Sequence, residues 1–467
     1  MIQGRTPAPD AALRLCRLIA SPSLPAALEG SAVLGAAAAA RDGNFVNPDG
    51  NAVEAQPGTV FADLELSPSP RSRIRVEIGL PAPERWDGRL VGLGNGGAAG
   101  RIPVTTTAQF LRRGCAVTTT DLGTAPDPAR AGCGNPEVWK DFGHRATHLA
   151  MLAGKALCAA LYGRPPRFTY FVGGSTGGQQ GMSLAQRHPE DCDAVIAAVP
   201  AHARVALHAY FLWNWQTLHR RDGSLLFTDS QERSWRGAVL ETVAPLEAMP
   251  RARGRFVSDP RVWNKALLED ALRLAARRDP SLGPDHIAAL RRLDGGPVHA
   301  VTGQRIFGGL PPGAEFSPAC GNLWIFDWAF GPGTDPFSID FGADFDRYRS
   351  AMAEDLDAES ADLDAFRARG GRLLVYSGTA DSCVPWHSTA AWYARLVGRH
   401  GGDVGAVREF CRYYLLPGRS HTGGPGVQTI RDEFNILVRW REKGVAPKPV
   451  GHGMTPPAFD LPLEPFK

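Results

Sequence analysis

RFTYFVGGSTGGQQGMSLAQRHPE, Arg167–Glu190, is the most informative stretch of the chain. Phe168–Val172 is a run of aromatic and β-branched residues of strand length, a glycine-rich turn surrounds Ser175, and a helical pattern begins near Gly177. Gly173-Gly174-Ser175-Thr176-Gly177 reads G-x-S-x-G, the strand–turn–helix elbow that exposes a nucleophilic serine at the end of a strand. Glycines are needed because the serine backbone is strained and its neighbours approach the next strand and helix closely. Alone, the pentapeptide is a weak signal: a glycine turn with a capping serine would look the same.

Working outward, further short apolar runs of strand length occupy Ile74–Leu80, Arg89–Leu93, Cys115–Thr120, Ala194–Val199, Leu373–Tyr376 and Tyr413–Leu416. Gly-rich turns and helical patterns follow them, and His144–Tyr162 has the apolar spacing of a crossover helix. This alternation predicts an α/β fold, an α/β-hydrolase core with a mainly parallel sheet covered by helices on both faces. After Pro200 the texture changes to a Trp-rich run, Arg-rich helical stretches and the loop GGLPPGAEF. Residues 203–345 are therefore expected to form an inserted lid, and residues 1–202 and 346–467 the catalytic core.

An elbow serine requires an acid and then a histidine, each beyond a later strand. RLLVYSGTADSCVPW puts Asp381 just past one strand, and YYLLPGRSHTGGPG puts His421 just past the next. Either residue alone reads as an ordinary loop residue; the three in the required order read as a triad. His387 and His400 lie on or beside the helix expected after Asp381 and are weaker bases by position. Ser175 would attack an acyl carbonyl, His421 would take and return its proton, and Asp381 would orient the imidazole. The Thr176 N–H, with one from Asn95, Gly96 or Gly97 in RLVGLGNGGAAG, would bind the oxyanion. Because His421 must be neutral to accept a proton, a rate independent of pH between about 5 and 8 would count against it as the base.

Other readings compete. Gly92, Gly94 and Gly97 spell G-x-G-x-x-G after a strand, with Asp121 ending the next strand, which imitates the dinucleotide fingerprint of an NAD(P)-dependent oxidoreductase. That reading leaves Ser175, Asp381 and His421 unexplained. His144 and His148 are one helical turn apart, but the acid of H-E-x-x-H is missing, so the pair reads as helix surface and packing rather than zinc ligands. A catalytically inactive binding protein of the same fold is a third possibility, and acyl transfer to an alcohol other than water a fourth, since it shares the acyl-enzyme.

The bulk composition narrows the class. The 467 residues are 43% hydrophobic and 21% charged with a net charge of +3, which argues against disorder and against nucleic-acid or membrane partners. MIQGRTPAPDAALRLCRLIA carries charges where a signal peptide needs an apolar run, so a cytoplasmic location is expected. Eight cysteines lie without the short paired spacings of zinc or redox motifs and read as free thiols. No cofactor and no metal are expected.

The chain resembles the tannase and feruloyl esterase family, which includes mono(2-hydroxyethyl) terephthalate hydrolase. WDGRLVGLGNGG, FLRRGCAVTTTDLGT, WKDFGHRATHLAMLAGKALCAALYG, FVGGSTGGQQGMSLAQRHPEDCDAVIAAVPA, FLWNWQTLH, GQRIFGGLPPGAE, FRARGGRLLVYSGTADSCVPW and LLPGRSHTGGPG carry the resemblance, in the family's order. It implies an α/β-hydrolase with a lid, a carboxylic ester hydrolase of small-molecule aromatic esters (phenolic, hydroxycinnamate, gallate or related), and a triad on Ser175, Asp381 and His421. Two departures stand out. Members usually carry cysteines just before the serine and just after the histidine, joined by a disulfide, where this chain has Gly174 and Thr422. An N-terminal cysteine pair is halved to Cys16, with Ala62 at the partner position. Loss of these pairs suits folding in a reducing compartment. In the lid, MPRARGRFVSDPRVW replaces the family's acidic calcium loop, so no structural calcium is expected. Trp386, close after Asp381, and Trp324 and Trp328 of the lid are the candidate substrate contacts; the lid aromatics also include Trp213, Trp215, Phe326 and Phe330.

Overall fold

The computed structural model describes residues 32–38, 44–46, 52–54, 58–102, 104–247, 252–316, 323–423 and 432–447. Cys16, Cys320 and the start of MPRARGRFVSDPRVW lie outside them. The chain divides into two compact units, residues 1–197 with 355–358 and 362–373, and residues 198–354 with 359–361 and 374–467.

The first unit holds strands β1 (Ala32–Ala38), β2 (Asn44–Val46), β3 (Ala52–Glu54), β4 (Val60–Leu66), β5 (Ile74–Leu80), β6 (Arg89–Leu93), β7 (Ala116–Thr120), β8 (Phe168–Gly174) and β9 (Ala194–Ala198). Its numbered helices are α1 (Val104–Arg112), α2 (Ala146–Tyr162) and α3 (Thr176–Arg187); shorter helical turns are left unnumbered. The strand order is β1-β4-β5-β7-β6-β8-β9, with β2 and β3 paired separately. β1, β4, β5 and β7 pair antiparallel, whereas β6 is parallel to both β7 and β8. The sheet is thus mixed, with a larger antiparallel portion than the expected mainly parallel one. The strands beginning at Ile74, Arg89 and Phe168 start where the sequence puts them. β1 and β4 escaped the reading because AVLGAAA is poor in β-branched residues and VFADLEL interleaves acids with buried apolar positions.

β6 and β7 are buried runs, as strands packed on both faces must be. The helix predicted over His144–Tyr162 runs as a π turn, Asp141–Arg145, into α2, and ends on Gly163 in the left-handed conformation. Gly143 sits in that turn against the Asp355 carbonyl, where a β-carbon would collide.

The second unit contains α4 (Arg204–Leu218), α5 (Asp229–Val243), α6 (Lys265–Arg278), α7 (Pro284–Gly295), α8 (Trp324–Phe330), α9 (Ala343–Leu356), α10 (Trp386–Arg399) and α11 (Glu433–Lys443), with neighbouring strands β10 (Arg372–Gly378) and β11 (Cys411–Leu416). α5 begins at a Thr228/Gln231 capping box, and α6 at Asn264, whose side chain accepts from the amides of Ala266 and Leu267. Leu207, Tyr210, Phe211, Trp235, Val239, Leu272, Leu290 and Phe307 form one buried core with Val384, beside Asp381. Segment 203–345 therefore shares a core with the acid loop. In the same segment, the Glu247 carboxylate is taken by Ser258 and that of Asp259 by Arg261.

Two histidines of this unit are interior and a third, His387, is half-buried. His202 and His208 are fully buried; burial, with Arg395 near the first and Arg204 near the second, pushes His202 down to about 3 and His208 well below the usual imidazole range. Burial, with Arg305 nearby, brings His387 to about 4. Each therefore stays neutral in the folded chain and takes a proton on unfolding. Their stability contribution is complete above the unfolded value of about 6.5 and is lost as pH falls toward the folded values. Between pH 7 and 6 the three together should cost roughly 2 kcal/mol. Asp121 of the first unit, pushed up to about 6 mainly by burial, offsets only a small part above pH 6. Urea denaturation at the two pH values measures this, and His202→Phe should remove about 0.7 kcal/mol of the difference.

Among the described residues no helix is long and apolar enough to cross a membrane. Cys115, Cys133, Cys158, Cys192, Cys383 and Cys411 are free thiols.

Candidate active site

In the first unit, β8 runs straight into Ser175, which has φ 60° and ψ −118°, and α3 starts at the next residue. A positive φ is costly for a residue with a side chain and persists only where the surroundings enforce it. The enforcement is visible. The Gly177 N–H donates to the Asn95 carbonyl at 2.7 Å, and the Gly94 N–H donates to the Val172 carbonyl at 2.9 Å. A β-carbon on Gly94 would lie 2.5 Å from the Gly177 Cα and 2.9 Å from the Gly173 Cα. These are backbone atoms that cannot yield. Gly94→Ala should accordingly destabilise the protein by about 3 kcal/mol and depress esterase activity with it, read from the urea midpoint and initial rates; an unchanged midpoint would contradict this packing.

The loop after β6 faces this turn. The Thr176 hydroxyl donates to the Gly97 carbonyl at 2.7 Å. The Asn95 N–H donates to Gln180 Oε1 at 2.8 Å, and the Asn95 side-chain amide donates to the carbonyls of Thr120 (2.7 Å) and Arg101 (3.0 Å). Asn95 is therefore corrected from a candidate oxyanion donor to the anchor of the loop, because its amide is already used. The N–H groups of Gly96 and Gly97 donate to no described residue, and a β-carbon at either glycine would meet nothing within 4 Å. Thr176, Gly96 and Gly97 thus share one neighbourhood with Ser175. Nothing in the spacing of the chain marks Gln180, whose amide also donates to Thr147 at 2.8 Å.

The same geometry answers the dinucleotide reading. A β-carbon on Gly92 would strike Met151 and Phe171, so Gly92 serves strand packing and Gly94 serves the elbow. Helix α1 starts at Val104, seven residues past Gly97, so the helix that follows the loop in the chain does not open on its glycines as the dinucleotide fingerprint requires. Asp121 is buried and accepts from the amides of Arg75 (3.0 Å) and Gly123 (2.8 Å), which leaves no exposed carboxylate for a ribose.

In the second unit, Asp381 and His421 are brought together. His421 Nδ1 lies 2.9 Å from Asp381 Oδ2, with the carboxylate fully buried and the imidazole partly exposed. Asp381 Oδ1 accepts from the amides of Cys383 (2.9 Å) and Val384 (2.8 Å), so the acid cannot rotate away. Thr379 ties the acid and histidine loops together: it accepts from the Gly418 N–H at 2.7 Å and donates to the Val257 carbonyl at 2.8 Å. Tyr210 of α4 donates to the Ser382 carbonyl at 2.8 Å. Both Val257 and Tyr210 belong to segment 203–345, so that segment helps to position the acid.

The aromatic candidates separate by burial. Trp328 and Trp386 are interior, the first edge-on to Trp324 at 5.0 Å and the second stacked on His387 at 4.3 Å. Phe326 packs with Tyr348 and His208, and Trp213 lies under the Arg292 guanidinium. Trp324 is half-buried. His387 and His400 do not approach Asp381 as His421 does.

The family model described as "Tannase and feruloyl esterase" matches residues 63–323 and 335–452. The chain belongs to the tannase and feruloyl esterase family. It is a carboxylic ester hydrolase with an α/β-hydrolase fold. An uncharacterized esterase of Xanthomonas campestris pv. campestris is 29% identical over 87% of this chain and 79% of its own length. A probable feruloyl esterase B-2 of Aspergillus flavus is 28% identical over 83% and 78%. Among solved structures, feruloyl esterase B from Aspergillus oryzae superposes with a TM-score of 0.81 at 21% identity, covering 93% of this chain and 91% of that one. The tannin acyl hydrolase from Aspergillus niger gives 0.75 at 17% identity, with 98% and 94% covered, and both likenesses speak to fold.

Proposed function

We propose that this family member is a serine esterase that cleaves esters of aromatic carboxylic acids through an acyl-enzyme, with Ser175 as nucleophile, His421 as general base and Asp381 as the orienting acid. The observation that carries the reading is the buried Asp381 carboxylate, clamped by two amides and directed at His421 Nδ1. That arrangement fixes the tautomer with Nδ1 protonated and Nε2 basic. Ser175, strained into the elbow conformation, supports the nucleophile assignment.

In the first step Oγ of Ser175 bonds to the acyl carbon while its proton passes to His421 Nε2. The carbonyl π electrons move onto oxygen, where the amides of Thr176 and of Gly96 or Gly97 would stabilise the charge. Collapse expels the alcohol, which leaves with the proton from His421. Water then repeats the sequence and releases the acid. The aromatic acyl class is supported by the names of the relatives, feruloyl esterases and a tannin acyl hydrolase. We assign residues 203–345 the role of lid, with Trp324 as the first candidate for stacking on the acyl ring.

A panel of acetate, benzoate, cinnamate and gallate esters tests the reading, together with a serine-reactive phosphonate located by peptide mapping. Alcohol release led by one of the aromatic esters, with the label on Ser175, is the expected result. A folded protein that releases no alcohol and takes no label would overturn it.

A further inference from the structure

The pair His144 and His148 lacks an acid in the linear motif, yet the fold supplies other partners in the first unit. One potential ligand atom from each of His148, His188 and Glu190 lies within 4.8 Å of the other two. His148 comes from α2, whereas His188 closes the C-terminal end of α3, where its N–H donates to the Leu184 carbonyl at 2.9 Å. Asp191, with a fully buried carboxylate, accepts from His148 Nδ1 at 2.6 Å and is held in turn by Lys155 Nζ at 3.2 Å. A buried carboxylate on one nitrogen of an imidazole leaves the other nitrogen as the donor, the arrangement that orients histidines toward metals. His144 is engaged with Asp355 at 3.5 Å and is not needed.

We propose that His148, His188 and Glu190 form a binding site for one zinc-class divalent transition-metal ion, oriented by Asp191 and completed by water. Two imidazoles, one carboxylate and an open position match the donor preferences of that class, with metal–nitrogen distances of about 2.0–2.1 Å. The rings of His148 and His188 stack 3.7 Å apart with planes 13° from parallel. Parallel rings cannot both direct an in-plane lone pair at one ion, so binding swings the partly exposed His188 ring out of the stack. The ion would tie α2 to the far end of α3, the helix that begins immediately after Ser175, and so stiffen the elbow from behind. Its place is independent of the ester chemistry.

The test uses the full chain after chelator treatment and dialysis, titrated calorimetrically with zinc chloride, and with cobalt chloride while recording visible absorption. One ion per chain is expected, with magnesium failing to compete. Glu190→Gln, at an exposed position that leaves folding intact, should weaken zinc binding at least tenfold, and His188→Ala should weaken it further and abolish the cobalt spectrum of that site. Zinc should also raise the melting temperature of wild type and not of His188→Ala. Absence of saturable zinc or cobalt binding at submillimolar concentration, or binding unchanged in both variants, would overturn the proposal.

Discussion

Ser175→Ala is expected to lower kcat by about 10^6-fold while leaving the protein folded and able to bind its ester. The residual rate should stand about 10^3–10^4-fold above that of water, because substrate positioning and oxyanion binding survive. Alanine has the same backbone preferences as serine, so the strain at φ 60° is retained and the denaturation midpoint should move little. Ser175→Gly makes the complementary case. It removes the nucleophile and also the steric cost of the elbow, and should stabilise the chain by about 1 kcal/mol. Rates measured beside urea midpoints for the three proteins separate chemistry from strain. Loss of activity together with a collapse in stability for Ser175→Ala would make the residue structural. Retention of more than a hundredth of the wild-type rate would point to another nucleophile.

Asp381→Asn should cost about 10^4-fold in kcat with KM nearly unchanged. The side-chain oxygen of asparagine can still accept the Cys383 and Val384 amides, which preserves the loop. Its NH2 group then faces His421 Nδ1 at the position where a carboxylate oxygen stood 2.9 Å away. A donor there forces His421 into the tautomer that carries its proton on Nε2, which cannot accept one from Ser175. Circular dichroism and melting should match wild type. A kcat within tenfold of wild type would remove Asp381 from the mechanism and leave the His421 contact as a loop tie.

At β6 the sequence and the packing diverge most. From the spacing alone, Gly92, Gly94 and Gly97 fit two incompatible functions. The packing separates them: Gly92 meets Met151 and Phe171, Gly94 meets the elbow, and Gly97 alone stands in the open loop. The three positions have different physical demands that share one letter in the sequence. The N-terminal strands were invisible for a related reason. Five of the seven residues of β1 are alanine or glycine, and its strand character comes from pairing with β4 rather than from its own side chains. Trp324, Trp328 and Trp386 look alike in the sequence, and only the packing separates the half-buried Trp324 from the buried Trp328 and Trp386, since a large ring suits core and pocket alike.

The elbow at Ser175, the strand-end positions of Asp381 and His421 and the family are legible in the amino-acid order, because each of these depends on local backbone requirements that only certain residues meet. Close approach demands glycine, a strand demands an apolar run, and a chain-order rule connects them. Tertiary structure alone decided which groups share an environment. It placed Gln180 on the Asn95 amide, 85 residues away, sank His202 and His208 beyond reach of water, and gathered His148, His188, Glu190 and Asp191 at the ends of two helices. Such partnerships arise from packing between distant segments, and the spacing of residues along a chain carries no record of which surfaces will meet.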